Sequence, residues 1–269
     1  MHQSERAARH GVCLPYRPMP DFDSEGVRLH YELAGPDEGR PVVLVHGYCS
    51  DYALNWVGTR WQETLTRAGW LVLGLDCRGH GRSEKPHDPA AYARRTMADD
   101  VMRLLDHLDL ADADYLGYSM GSRLGLEAVI AHPDRWNRAV LGGVGRWGGG
   151  DRSELIARRM RGDVSVTDPS AEMFYRFAAS RPINDLEALA CCILGPQPPL
   201  SADQLASIRV PVAIMTGEHD PIARGAPELA AQIPGARHVP IIGRNHMHAV
   251  PARQFKDAAL NFLAATPGT

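Results

Sequence analysis

Gly117-Tyr118-Ser119-Met120-Gly121 decides how the rest of the chain is read. It follows the apolar run Ala113-Asp114-Tyr115-Leu116 and precedes Ser122 to Ile130, which reads as a helix. A G-x-S-x-G between a strand and a helix is the pattern of a nucleophile elbow. A strand that reverses sharply into a helix holds its central residue in a strained turn. Side chains on the flanking residues would strike the neighbouring chain, which is why both are glycine. The turn carries the Ser119 hydroxyl to the top of the sheet.

Working outward, the same rhythm repeats on both sides. Val27 to Leu33 alternates apolar and polar residues, as a half-buried strand does. Val42-Val43-Leu44-Val45 and Trp70 to Leu75 are continuous apolar runs, expected of strands covered on both faces. The first ends in His46-Gly47-Tyr48 and the second in Asp76-Cys77-Arg78-Gly79-His80-Gly81-Arg82-Ser83. Residues 55–68 read as one helix. Another carries the stripe Val101, Leu104, Leu105, Leu108, with Thr96 and Asp99 at capping-box spacing. Ala139 to Val144, Val210 to Met215 and Ala236 to Ile242 complete the strands; Pro227 to Gln232 and a helix starting near Pro251 complete the helices. Apolar strands alternating with helices predict an α/β fold, a mostly parallel sheet with helices on both faces.

The rhythm breaks between Gly145 and Arg209, a stretch bounded by Gly148-Gly149-Gly150 and Gly195-Pro196-Gln197-Pro198-Pro199. It contains helix-like segments at Arg152–Arg161 and Ala171–Ala179. A structureless loop of that length is disfavoured, so an inserted helical lid is expected. The domain plan is a loose arm over residues 1–20, a core formed by 21–145 and 210–269, and a lid over 146–209.

Composition narrows the function. A net charge of -3 gives no reason to expect nucleic acid or an anionic membrane as partner, and nearly all basic charge is arginine, with Lys85 and Lys256 the only lysines. Five cysteines, two of them adjacent at Cys191-Cys192, frame neither a disulfide pattern nor a zinc site. Reduced thiols in a cytoplasmic protein are expected. No stretch is long enough to span a bilayer, and the polar N-terminus lacks the apolar core of a signal peptide. No metal-ligand spacing, phosphate loop or dinucleotide fingerprint is present, so no metal and no cofactor are expected. The partner expected is a small-molecule substrate; the oligomeric state is open.

Ser119, Asp220 and His246 all fall just past the ends of predicted strands. Their chain order, serine then aspartate then histidine, is that of α/β-hydrolase triads. With His46-Gly47-Tyr48, the Asp76–Ser83 loop, Gly217-Glu218-His219-Asp220 and Asn245-His246 also in order, the sequence resembles the α/β-hydrolase superfamily from about Val27 to Leu263. The resemblance implies an α/β-hydrolase fold and a serine-nucleophile, esterase-like site. Ser119 would attack a carbonyl and His246 would act as base, then as acid. Asp220 would orient the imidazole, and the backbone N–H groups of Tyr48 and Met120 would hold the oxyanion. A neutral base implies activity falling in acid, near the ordinary histidine value of about 6.5.

Alternatives remain at each position. Asp151 is the rival acid, His248 the rival base, and Asp220 would also suit a turn before Pro221. The Asp76, Arg78 and His80 cluster is expected to be structural, Ser83 and Ser122 bystanders, and His219 a surface or packing residue. The tryptophans, Tyr118, Met247 and Cys49 suit either pocket or core. The expected reaction is cleavage of a small or medium carboxylic ester or lactone through an acyl-enzyme. Thioesterase, carbon–carbon bond hydrolase and perhydrolase chemistry use the same triad. Serine at the elbow argues against the haloalkane dehalogenase and epoxide hydrolase branches, which use aspartate there. A non-catalytic binding protein on the same fold is the rival of another class.

Overall fold

The computed structural model describes residues 21–146 and 150–265, Gly150 and Asp151 by their backbone only. The arm expected over 1–20 lies outside the described residues.

The strands are β1 (Asp21–Ser24), β2 (Val27–Ala34), β3 (Arg40–Val45), β4 (Trp70–Leu75), β5 (Ala113–Tyr118), β6 (Trp136–Gly142), β7 (Val212–Gly217) and β8 (Arg237–Ile241). They form one sheet in the order β1-β2-β4-β3-β5-β6-β7-β8. The pairs β1/β2 and β2/β4 are antiparallel, and all pairs from β4 to β8 are parallel. The order reverses at β3, so the loops after β3 and β5 leave the same edge side by side. Such a switch point is where open α/β sheets bind ligands.

Both faces of the sheet are covered, and the strands show it residue by residue. Val43, Val45, Leu73, Tyr115, Leu141 and Ile214 pack into one core. Their neighbours Val42, Leu44, Val72, Leu116, Val140 and Met215 pack into another, as side chains alternating across a strand must. The first core is closed by α2 (Arg94–His107) and α3 (Met120–Ala131), through Val101, Leu104, Leu105, Leu124 and Val129. The second is closed by α1 (Trp61–Arg67) and α10 (Arg253–Ala264), through Trp61, Leu65, Phe255 and Leu263. The helix expected over residues 55–68 is split: a π-helical turn covers Ala53–Val57, and Arg60 breaks the run at φ 63° before α1 begins.

Between β6 and β7 lie α4 (Gly150–Met160), α5 (Pro169–Ala179), α6 (Leu186–Leu194) and α7 (Ala202–Ala206). Asp168, Asp185 and Ser201 cap the last three, each side-chain oxygen accepting from backbone N–H groups of the first turn. Ile156, Met160, Leu189, Cys192 and Leu205 from this insertion join the same apolar cluster as Tyr48, Tyr92 and Leu124 of the sheet side. The insertion thus shares the core of the body. Two short helices complete the fold, α8 (Ala226–Ala231) and α9 (His246–Ala249). Among the described residues no helix is long and apolar enough to cross a membrane.

Candidate active site

The elbow is built as its sequence requires. Ser119, between β5 and α3, has φ 53° and ψ -108°, a conformation L-residues rarely adopt. A Cβ on Gly117 would lie 2.6 Å from the carbonyl carbon of Gly121, and one on Gly121 would lie 2.1 Å from the Val45 oxygen. The strained turn is held by the Ser119 N–H donating to Gly142 O at 2.8 Å and the Gly121 N–H donating to His46 O at 3.1 Å. The Tyr115 hydroxyl donates to Gly121 O at 2.6 Å. Ser122, expected to be a bystander, is buried with its hydroxyl within reach of Gly117 O (2.9 Å) and Gly142 O (2.7 Å). It braces the elbow from below.

Asp220 and His246 arrive from separate loops that the pairing of β7 with β8 brings together. The Glu218 N–H donates to Ile241 O and the His219 N–H to Arg244 O, tying the two loops at 3.0 and 2.9 Å. His246 Nδ1 then lies 2.7 Å from Asp220 Oδ2, with Asp220 buried. The other carboxylate oxygen accepts from the Ile222 N–H at 2.8 Å and the Ala223 N–H at 3.0 Å. Asp220 therefore both opens a turn and faces the histidine. A carboxylate only accepts, so Nδ1 carries the ring proton and Nε2 keeps its lone pair. The Tyr118 ring lies 5.1 Å from the imidazole, and its hydroxyl donates to His246 O. His246 is thus paired with Asp220, while among the described residues the Ser119 hydroxyl makes no hydrogen bond.

The other histidines of these loops are placed elsewhere. His248 Nδ1 lies 2.8 Å from Asn245 Oδ1, the same oxygen that caps α9 through the His248 N–H. His219 is exposed beside Glu218. The Asp151 side chain lies outside the described residues.

The loop after β3 comes up beside the elbow. A Cβ on Gly47 would lie 3.5 Å from Ser119 Cβ. Asn55 Oδ1 accepts from the Gly47 N–H at 3.2 Å. Among the described residues the N–H groups of Tyr48 and Met120 have no hydrogen-bond partner. Asn55 was missed by sequence reasoning; a lone asparagine in a helix-like run carries no signal.

The Asp76–Ser83 loop is structural. Asp76 accepts from the Tyr52 and Arg82 N–H groups, both at 2.8 Å. Arg78 makes a two-pronged contact with buried Asp100 at 2.7 and 2.6 Å. His46 uses both ring nitrogens, Nδ1 donating to Gly47 O at 2.8 Å and Nε2 accepting from the Cys77 N–H at 3.0 Å. Burial pushes the His46 pKa down; burial and neighbouring His46 push His80 down to about 3. Both are neutral spacers. Among the described residues no three His, Cys, Asp or Glu side chains converge to hold a metal ion.

Comparison with known proteins agrees with this architecture. The alpha/beta hydrolase fold family profile matches residues 40–149. The enol-lactonase of Burkholderia xenovorans LB400 superposes with a TM-score of 0.79 at 25% identity, covering 91% of this chain and 100% of that one. The chain belongs to the α/β-hydrolase superfamily. A candidate carbamate hydrolase, RutD of Caulobacter vibrioides, is 38% identical over 114 residues, 42% of this chain and 41% of that protein. The match thus spans about two fifths of that relative's length. A candidate 2-succinyl-6-hydroxy-2,4-cyclohexadiene-1-carboxylate synthase of Bacillus subtilis is 28% identical over 224 residues, 73% of this chain and 80% of that protein.

Proposed function

We propose that this protein is a serine hydrolase that cleaves a small or medium carboxylic ester or lactone. The observation that carries the reading is the 2.7 Å contact of His246 with buried Asp220, on the sheet edge where the strained turn presents Ser119. In this reading His246 Nε2 takes the Ser119 proton as Oγ adds to the carbonyl carbon, and the imidazolium is held by Asp220. The oxyanion is received by the N–H groups of Tyr48 and Met120, each worth about 10²–10³ in turnover by analogy with side-chain donors. Return of the proton expels the alcohol, and water, activated by the same base, releases the acid. The α4–α7 segment serves as the lid over the substrate. The enol-lactonase relative supports a lactone or ester substrate.

The match to the Bacillus subtilis synthase spans more of both chains than the RutD match and favours a second reading, in which the same three residues form a cyclohexadiene carboxylate from its precursor. A panel of chromogenic esters, lactones and thioesters, beside an assay for formation of a cyclohexadiene carboxylate, separates the two. Turnover of an ester or lactone, lost in Ser119→Ala, is the expected result. Ester turnover that survives Ser119→Ala would refute the assignment of the nucleophile. Labelling of Ser119 by a fluorophosphonate with no turnover across the panel would instead favour a binding protein.

A further inference from the structure

The loop that carries the Tyr48 N–H is gripped by the insertion at three residues, Tyr48, Cys49 and Asp51. The Tyr48 hydroxyl donates to Leu189 O of α6 at 2.8 Å, while its ring meets Phe174 of α5 edge-on at 5.5 Å. Cys49 O accepts from Asn184 Nδ2 at 3.3 Å. Asp51 Oδ2 pairs with Arg181 Nη2 at 2.5 Å, the Asp51 side chain being only 4% exposed. Arg181 and Asn184 both sit in the short link between α5 and α6. The gripped segment is itself strained, since Cys49 has φ 62°, a left-handed conformation unusual for a residue with a side chain.

From the body, the loop is held by Asn55 on the Gly47 N–H and by its own turn, Ser50 N–H to Gly47 O at 3.1 Å. Those contacts set where the loop begins. The plane of the Gly47–Tyr48 peptide is held at Gly47 O, which accepts from His46 Nδ1 at 2.8 Å and from the Ser50 N–H. That N–H belongs to the peptide whose oxygen, Cys49 O, accepts from Asn184, so the insertion reaches the Tyr48 N–H through one intervening peptide. An oxyanion donor is useful only when its N–H already points at the developing charge. Asp51 is also committed locally, its Oδ1 accepting from the Leu54 N–H at 2.7 Å, so the carboxylate bridges the turn after the loop to the insertion.

We infer that Arg181 and Asn184 are positioning residues for the oxyanion hole: through Asp51 and the Cys49 carbonyl they hold the Tyr48 N–H in its catalytic orientation. This rests on the reading of Tyr48 as an oxyanion donor. The insertion then has two duties, covering the substrate and completing the geometry of the donor loop. Neither residue needs to touch substrate.

The test is steady-state kinetics on the full chain with a chromogenic ester, together with the rate of Ser119 labelling by a fluorophosphonate. Arg181→Met lowers kcat by about 10- to 100-fold, the scale expected when a reacting group is displaced by about 1 Å, and leaves KM within about twofold. Arg181→Lys restores most of the loss. The double variant Asp51→Asn with Arg181→Met is no worse than Arg181→Met alone, because both remove one interaction. Tyr48→Phe keeps the ring on Phe174 but removes the bond to Leu189 O. It lowers kcat with KM unchanged and carries the test if Arg181→Met does not fold. A rise in KM with unchanged kcat would make Arg181 a substrate contact and overturn the inference, as would wild-type kcat and labelling rate in both Arg181→Met and Tyr48→Phe. A wild-type protein that neither turns over nor is labelled would overturn the hydrolase reading, and this inference with it.

Discussion

Replacing Asp220 by asparagine should cripple turnover while leaving the fold intact, and the hydrogen bonds around the carboxylate say why. Asp220 Oδ1 accepts from two backbone N–H groups, Ile222 and Ala223. In Asp220→Asn only the amide oxygen can take that place. The amide NH2 must then face His246 Nδ1, now 2.7 Å from Asp220 Oδ2. An NH2 donates, so Nδ1 must accept and the ring proton moves to Nε2. The imidazole would meet the Ser119 hydroxyl with an N–H in place of a lone pair. The imidazolium formed during attack also loses its counter-charge. The same exchange in another serine hydrolase triad costs about 10⁴ in kcat, equivalent to about 5.4 kcal/mol of barrier. All three hydrogen bonds survive, only the one to His246 in reversed sense, so Tm should move by only a few degrees. The assay is the acylation rate with a chromogenic ester under single-turnover conditions, beside a thermal melt. Retention of turnover within tenfold of wild type, with Asp151→Asn inactive, would refute the reasoning and move the acid to the start of α4.

Two further predictions concern stability. Asp100→Ala leaves the Arg78 guanidinium buried without its carboxylate, the pair being 3% and 2% exposed, so unfolding in urea should show a loss of about 3–5 kcal/mol. His80 is buried and neutral, with its pKa pushed down to about 3, so the unfolded chain binds a proton below pH 6.5 that the folded chain refuses. Its contribution is intact above pH 6.5 and erodes as pH falls towards 3, by about 1.4 kcal/mol per pH unit. His80→Gln should therefore flatten the acid limb of the stability curve, and an unchanged limb would show that His80 does not drive it.

Much of this architecture was legible in the sequence because it depends on local rules. Continuous apolar strands announce a sheet covered on both faces, and Val42 to Val45 divide between the two cores as that rule requires. The elbow and the Gly-x-x-Asp turn are local as well, which is why Ser119 and Asp220 could be placed. Where the reading differs, a long-range contact displaced a local signal. Thr96 and Asp99 have capping-box spacing, yet α2 begins at Arg94, whose N–H donates to Pro196 O of the distant proline-rich link at 3.0 Å. Asp99 turns to Arg95 and His132 instead. The strand β1 was missed because four residues, Asp21 to Ser24, carry too little pattern; it exists by pairing with β2 across a turn at Glu25-Gly26. The contact of Asp51 with Arg181 spans 130 residues, and no spacing rule reaches across that distance.

The shared core of insertion and sheet has a consequence for how substrate gets in. Prising the insertion off as a rigid flap would bare Tyr48, Tyr92 and Leu189, all buried now, to water. At about 1.5–3 kcal/mol for each large side chain, that is roughly 5–9 kcal/mol, an open state visited by fewer than about one molecule in 10³. Traffic by that route would be slow. A cheaper doorway is the rotation of a few side chains at the rim, leaving the helices seated. Under the proposed reading, the insertion is a fixed roof with a narrow, side-chain-sized entrance in place of a hinged cap.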